Sequence, residues 1–135
     1  MNKNSRLTRL TNQLVPGVRG LRVIFGVAGV LHFYRPAVFD SIVPRWVPGS
    51  ARTATYLSGA AELGVAAGLS VAKTRAVAGY AAVALLLAVF PGNVEMARQW
   101  VPQSPLKAFV SLVRLPLQIS LIQGAWRVAK KAEKA

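Results

Sequence analysis

Two charged residues, Glu62 and Arg114, each lie near the middle of a long apolar stretch. An ionisable side chain in hydrocarbon costs several kcal/mol, so it needs either a partner or a use. If the two stretches are helices that run inward from the same side of a membrane, a rise of about 1.5 Å per residue places both charges at depths within about one helical turn of each other. We therefore expect an ion pair or a hydrogen-bonded link between Glu62 and Arg114.

Other polar residues share the helical faces of these two charges. Thr55, Ser58 and Glu62 fall on one face of their stretch, as Ser111, Arg114 and Gln118 do on theirs. His32 and Asn93 lie toward the same outer side of the first and third stretches. Together these residues predict a polar cluster in the outer half of a helical bundle, comprising His32, Ser58, Glu62, Asn93, Arg114 and Gln118.

The polar cluster has two interpretations. It can form a small pocket for a lipid headgroup, a quinone ring or a small solute. It can instead be a buried polar network that fixes how the helices pack, as membrane bundles often contain. The sequence leaves both open.

The residue types argue against an enzyme and against a metal site. The chain has no cysteine, which excludes thiolate nucleophiles, disulfide exchange and thiolate metal ligands. One His and four carboxylates are too few for a protein-only metal site, so none is predicted. General acid–base work by Glu62 with His32 is chemically conceivable. It ranks below a binding role because no nucleophile or phosphate loop accompanies the pair.

The elements that position the cluster are four apolar stretches, each about the length of a membrane span. With 53% hydrophobic residues and a mean hydropathy of +0.41, a soluble domain would lack polar surface to cover itself. We therefore predict an all-α fold, a four-helix transmembrane bundle in one domain (1–135), with helices at about 17–34, 53–72, 76–94 and 108–126. The short link 72–75 makes the second and third helices antiparallel neighbours.

The loop between the first and second helices is rich in proline. Pro36, Pro44 and Pro48 surround Trp46, a residue that favours the membrane interface. A proline suits the first turn of a helix, so a short interfacial helix or loop is predicted from Pro36.

The N-terminal segment 1–16 is basic and places Leu7, Leu10 and Leu14 on one helical face. It is predicted to be either an interfacial amphipathic helix or a disordered basic tail; 127–135 is a second basic tail. The first apolar stretch is predicted to be a retained helix, not a cleaved signal peptide, because no small-residue cleavage site follows it. Ala60, Gly64 and Gly68, with Ala84 and Ala88, repeat at four-residue spacing, which predicts close helix packing or a homo-oligomer.

Basic residues are unevenly distributed. The chain has 17 Lys and Arg and a net charge of +13, and most of the basic residues lie in the two terminal segments and the 73–75 turn. Basic residues concentrate on the cytoplasmic side of membrane proteins, so both termini are predicted to be cytoplasmic. Anionic lipids of the bilayer are the predicted partner, and nucleic acid is not, because no interleaved aromatic residues accompany the charges.

Five short motifs give the chain a resemblance to a known family. They read GVLHF at 29–33 followed by Pro36, IVPRWVP at 42–48, SGAAE at 58–62, FPGN at 90–93 and RLPLQ at 114–118. In this order they resemble the small DoxX-like membrane proteins. The resemblance implies a multi-pass protein of the bacterial cytoplasmic (inner) membrane, linked to quinone-dependent redox systems.

Two functions follow from these features. The first is a non-catalytic accessory or scaffold subunit, with a quinone- or lipid-binding pocket and a redox enzyme as partner. The second is a small proton- or cation-coupled transporter in which Glu62 carries the ion and Arg114 responds to its charge. The apolar inner half of the bundle favours the first.

Overall fold

The protein is all-helical. The computed structural model describes residues 3–135, apart from the side chains of residues 3 and 11, and within that range it contains six helices and no strand. The all-α prediction is therefore confirmed. The helices are α1 (Lys3–Gln13), α2 (Val18–Tyr34), α3 (Pro36–Asp40), α4 (Ala51–Ser70), α5 (Arg75–Trp100) and α6 (Pro105–Glu133).

Local capping explains where two of the long helices begin. The Ser50 hydroxyl accepts a 3.1 Å hydrogen bond from the backbone N–H of Thr53, so α4 begins at residue 51. Ser104 caps α6 in the same way, and Pro105 follows at the first helical position. Both helices therefore start two or three residues before the predicted positions.

Neither internal proline ends its helix. α5 passes through Pro91 and continues to Trp100, and α6 passes through Pro116 and continues to Glu133. A proline removes one backbone donor and its ring crowds the preceding turn. α5 and α6 are therefore longer than predicted.

Close backbone contacts set the pairing of the helices. α2 packs along α4 and α5 along α6, and α4 also contacts α5 across their short connection. A Cβ atom on Gly59 would lie 2.7 Å from the Cβ of His32, and one on Gly79 would lie 2.9 Å from the backbone of Ala129. Glycine is required at these crossings, and the first crossing brings His32 against α4.

The predicted small-residue stripe packs closely within the chain only at Gly68, and its homo-oligomer interpretation stays a prediction. Gly68 does pack closely, since a Cβ atom there would lie 2.8 Å from the Cβ of Ala78, but a Cβ on Gly64 would meet nothing within 4 Å. Ala60 and Ala84 are exposed, as is Ala88. Four-residue spacing identifies one face of a helix but not the neighbour that covers it.

The apolar core fills the half of the bundle near the chain termini. Leu21, Leu69 and Ala125 are fully buried there. The core continues toward the middle of the bundle as far as Leu86 and Leu121, which also line the floor of a cavity.

Two helices in the described range are long and apolar enough to cross a membrane, α5 and α6. α2 is only 17 residues long and carries Arg19 and Arg22 near its start, while Arg52 and Glu62 lower the hydropathy of α4. Within the described range only α5 and α6 are therefore candidate membrane spans, and the prediction of four spans is not confirmed.

Candidate functional site

A cavity of about 270 Å³ lies between α2, α4, α5 and α6, in the half of the bundle away from the chain termini. Its walls are mainly apolar and include Phe25, Leu86 and Leu121. α3 and the loop that follows it cover the opening. All six residues of the predicted polar cluster line this cavity: His32, Ser58, Glu62, Asn93, Arg114 and Gln118.

Glu62 is buried beside His32, and its Oε2 has no hydrogen-bond donor within residues 3–135. Its Oε2 lies 3.0 Å from the Nδ1 of His32. That nitrogen also lies 2.7 Å from the carbonyl oxygen of Ala28, and a carbonyl can only accept, so the Nδ1 hydrogen is directed at Ala28. Oε2 is left without a donor, although the Glu62 side chain is only 9% exposed. The carboxylate therefore has one buried oxygen available to a donor in the cavity.

Arg114 belongs to a separate chain of hydrogen bonds. Its Nη2 donates to the Oδ1 of Asn93 at 3.1 Å, and the Nδ2 of Asn93 donates to the Oε1 of Gln118 at 2.5 Å. Gln118 in turn donates to the carbonyl oxygen of Leu86. Each residue in this chain donates to the next, so the orientations of both side-chain amides and of the guanidinium are fixed. The other guanidinium N–H groups have no acceptor among the described residues, so they can serve a ligand.

The predicted link between Glu62 and Arg114 is wrong. Within the described chain, Glu62 forms its closest charged contact with His32, and Arg114 donates to Asn93. The close crossing of α2 and α4 at Gly59 brings His32 beside Glu62. The two charges instead lie on the same cavity without bonding each other.

α3 forms a cover that is attached to the bundle on two sides. The ring of Phe39 stacks on His32 with centroids 3.7 Å apart. Asp40 accepts hydrogen bonds from the Thr55 hydroxyl at 2.6 Å and from the Nε of Arg52 at 2.8 Å. The Thr55 hydrogen bond, followed by Arg52, holds the pKa of Asp40 below its ordinary value.

The second attachment of the cover comes from α5. The side-chain amide of Gln99 donates to the carbonyl oxygen of Ser41 at 2.8 Å, just after α3. The carboxylate of Glu95 accepts from the same amide at 2.9 Å and so orients it. Since neither Asp40 nor Gln99 belongs to a recognisable motif or an apolar helical face, sequence reasoning missed both attachments.

The proline-rich loop is divided between the cavity and the surface. Pro36 begins α3, as its position predicted. Pro44 and Trp46 line the cavity, and Trp46 remains 72% exposed, whereas Pro48 is exposed and does not line it. Sequence reasoning placed this loop over the polar cluster but did not identify Phe39, whose ring covers His32.

The cavity contains polar groups that could contact a ligand. It offers one carboxylate oxygen without a donor, several guanidinium donors and apolar walls. Within residues 3–135 no three His, Asp or Glu side chains come together to hold a metal ion.

Comparison with known proteins corrects the family assignment. A search of curated proteins and a search of solved structures each gave no match. A family model does match, over residues 21–129, which contain every cavity-lining residue, and it is not that of the DoxX-like proteins. The resemblance to DoxX is therefore wrong: the motifs are only four to seven residues long, and short combinations of apolar residues with glycine and proline are common in membrane helices of any family. The chain belongs to the family described as Domain of unknown function (DUF8561).

Proposed function

We propose that this protein is a multi-pass membrane protein that binds a small amphipathic molecule in the cavity beneath α3. The observation that carries the proposal is the buried Oε2 of Glu62, which lines the cavity and has no donor within the described chain. Binding would supply that donor.

The exposed surface supports insertion of four helices in a bilayer. Only 28% of the apolar window of α5 and 17% of that of α6 are buried inside the protein, unlike the core helices of a soluble domain. α2 exposes Val23, Val27 and Val30, and α4 exposes Leu57. Apolar faces this extensive need a lipid or protein cover. α2 and α4 are shorter than α5 and α6, and they would cross the bilayer as a packed pair.

Aromatic residues support the same arrangement. Tyr80 and Trp126 contact each other near the chain termini, with the Nζ of Lys130 5.3 Å from the Trp126 ring. Trp100 lies 20 residues after Tyr80 on α5, which is about 30 Å along a helix and matches the hydrocarbon thickness. Tyrosine and tryptophan favour the two interfaces. The basic excess at the Tyr80 end then orients both termini toward the cytoplasm.

The Oε2 of Glu62 favours a ligand with a donor. A buried polar atom without a hydrogen bond costs about 1–3 kcal/mol, and more when it is charged. The ligand group that meets Glu62 is therefore a hydroxyl, an amine or an ammonium.

Arg114 sets the second requirement. Its guanidinium favours a carbonyl, phosphate or carboxylate oxygen. The head group therefore needs a donor that faces Glu62 and an acceptor that faces Arg114. A phospholipid head group with an ammonium, or a hydroquinone, has both a donor and an acceptor, whereas a quinone has acceptors only.

The apolar core supports binding over transport. A transporter needs a route for solute at both ends, and below the cavity the described chain is closed by Leu21, Leu69 and Ala125. A redox partner is not part of the proposal, because that expectation came from the DoxX resemblance.

Native mass spectrometry of the protein extracted gently from its own membranes tests the proposal. We expect one small amphiphile per chain, retained by wild type and by Glu133→Gln but lost by Glu62→Gln. Glu133→Gln is the matched control, since this carboxylate lies at the opposite end of the bundle with its side chain 54% exposed. Wild-type protein without any stoichiometric amphiphile would contradict the proposal.

A further inference from the structure

The N-terminal helix α1 is set apart from the bundle. Within residues 3–135 it packs against no other helix. Leu7 and Leu10 form one apolar face of α1 and are 62% and 57% exposed, and Leu14, just after the helix, is 75% exposed. An amphipathic helix with such a face needs a surface to cover it.

The segment that joins α1 to α2 is held in place. The hydroxyl of Ser120 donates to the carbonyl oxygen of Leu14 at 2.6 Å. The backbone of Pro16 lies so close to Gly124 on α6 that a Cβ there would collide with it. α1 therefore leaves the bundle from a defined point near the start of α2.

The charge around α1 is of one sign. Arg6 and Arg9 are exposed, with Arg6 next to Leu10 around the helix and Arg9 farther round on the same side, and the first 39 residues contain no Asp or Glu. The C-terminal end of α6 adds further basic residues at the same end of the bundle, and its one acidic residue, Glu133, is engaged by Tyr80 and Lys130. The complementary surface is therefore anionic on its outside and apolar beneath.

We infer that α1 binds the anionic lipid surface on the side of the termini, with its leucine face in the acyl region and Arg6 and Arg9 on lipid phosphates. This goes beyond the proposed function, because it concerns a surface outside the cavity. Attraction to anionic lipid is worth about fivefold in binding for each arginine near the surface.

The absence of cysteine allows a direct test with single labels in the full chain. Leu10→Cys and Asn12→Cys each carry an environment-sensitive fluorophore, and Asn12 lies on the face opposite Leu10. Each is reconstituted in nanodiscs of phosphatidylcholine with and without phosphatidylglycerol, and quenching by neutral acrylamide is measured.

We expect the Leu10 label to be protected when phosphatidylglycerol is present and the Asn12 label to stay accessible. Arg6→Gln with Arg9→Gln should lower the ratio of protected to accessible Leu10 label by about 30-fold. Equal quenching at the two positions would overturn the inference. Protection that does not depend on phosphatidylglycerol, or that appears only when a soluble acidic protein is added, would overturn it too.

The outcomes separate this inference from the membrane proposal. A chain that inserts in the nanodiscs but leaves Leu10 accessible contradicts only the role of α1. A chain that fails to insert contradicts both.

Discussion

Replacing Glu62 with glutamine should weaken ligand binding without weakening the empty protein. The change keeps the shape of the side chain and removes its charge. Because Oε2 has no hydrogen-bond donor in the described chain, its burial costs about 1–3 kcal/mol or more. We therefore expect the free energy of unfolding of the ligand-free Glu62→Gln protein to be unchanged or higher by up to about 3 kcal/mol.

Binding should change in the opposite direction. A hydrogen bond to a charged acceptor contributes about 1.5–3 kcal/mol, so Glu62→Gln should raise the Kd of the amphiphile by about 10- to 150-fold. Thermal unfolding of the stripped protein, followed by helical circular dichroism, measures the first effect. The fluorescence of Trp46, which lines the cavity, reports the second in a titration.

A purely structural role for Glu62 predicts the reverse pattern. If Glu62 and His32 form a buried ion pair that holds α2 against α4, removal of one partner costs about 3–5 kcal/mol. A stripped Glu62→Gln protein that is less stable by this amount, with an unchanged Kd, would show that Glu62 serves helix packing instead of ligand binding. Glu133→Gln should leave both measurements unchanged.

Further changes test the remaining contacts. Arg114→Gln should weaken binding by about tenfold or more because the ligand's acceptor loses a charged donor, and the same titration measures this. Phe39→Ala removes a stacked aromatic pair of about 0.5–1.5 kcal/mol and should speed ligand release by up to about tenfold in stopped-flow fluorescence. Because the pKa of Asp40 is lowered, its hydrogen bonds to Thr55 and Arg52 stabilise the attachment of α3 to α4 in full above the ordinary pKa of 3.8. This stabilisation is lost as the pH falls through the lowered pKa. Hydrogen exchange in residues 36–47 should rise over that acidic range, and Asp40→Asn should abolish the dependence. Gly79→Ala should destabilise the bundle by about 1–3 kcal/mol in denaturant unfolding because the new Cβ meets backbone, whereas Gly64→Ala, which meets nothing within 4 Å, should not.

The polar cluster could be predicted because depth along a helix depends only on residue count. Counting placed His32, Glu62, Asn93 and Arg114 at neighbouring depths, and the structure places all four on one cavity. Which of them bond each other depends on which helices are neighbours. Only one such neighbour relation could be deduced from the sequence, between α4 and α5 through their short link, so Glu62 was assigned the wrong partner.

Features that depend on the path of a loop could not be predicted. Asp40 reaches Thr55 and Arg52 only because α3 turns back over α4. The amphipathic N-terminal segment shows the same limit: its leucine spacing indicated a helical face, but only the structure shows that α1 packs on no other helix within the described chain. Local periodicity predicts elements, and contacts between elements require the fold.

A crystal structure of the protein isolated with its native lipids would test the binding cavity directly. We expect density beneath α3, with a donor atom within hydrogen-bonding distance of the Glu62 Oε2 and an acceptor atom facing Arg114. A well-ordered cavity that contains only water, with Glu62 hydrogen-bonded to His32, would contradict a binding function.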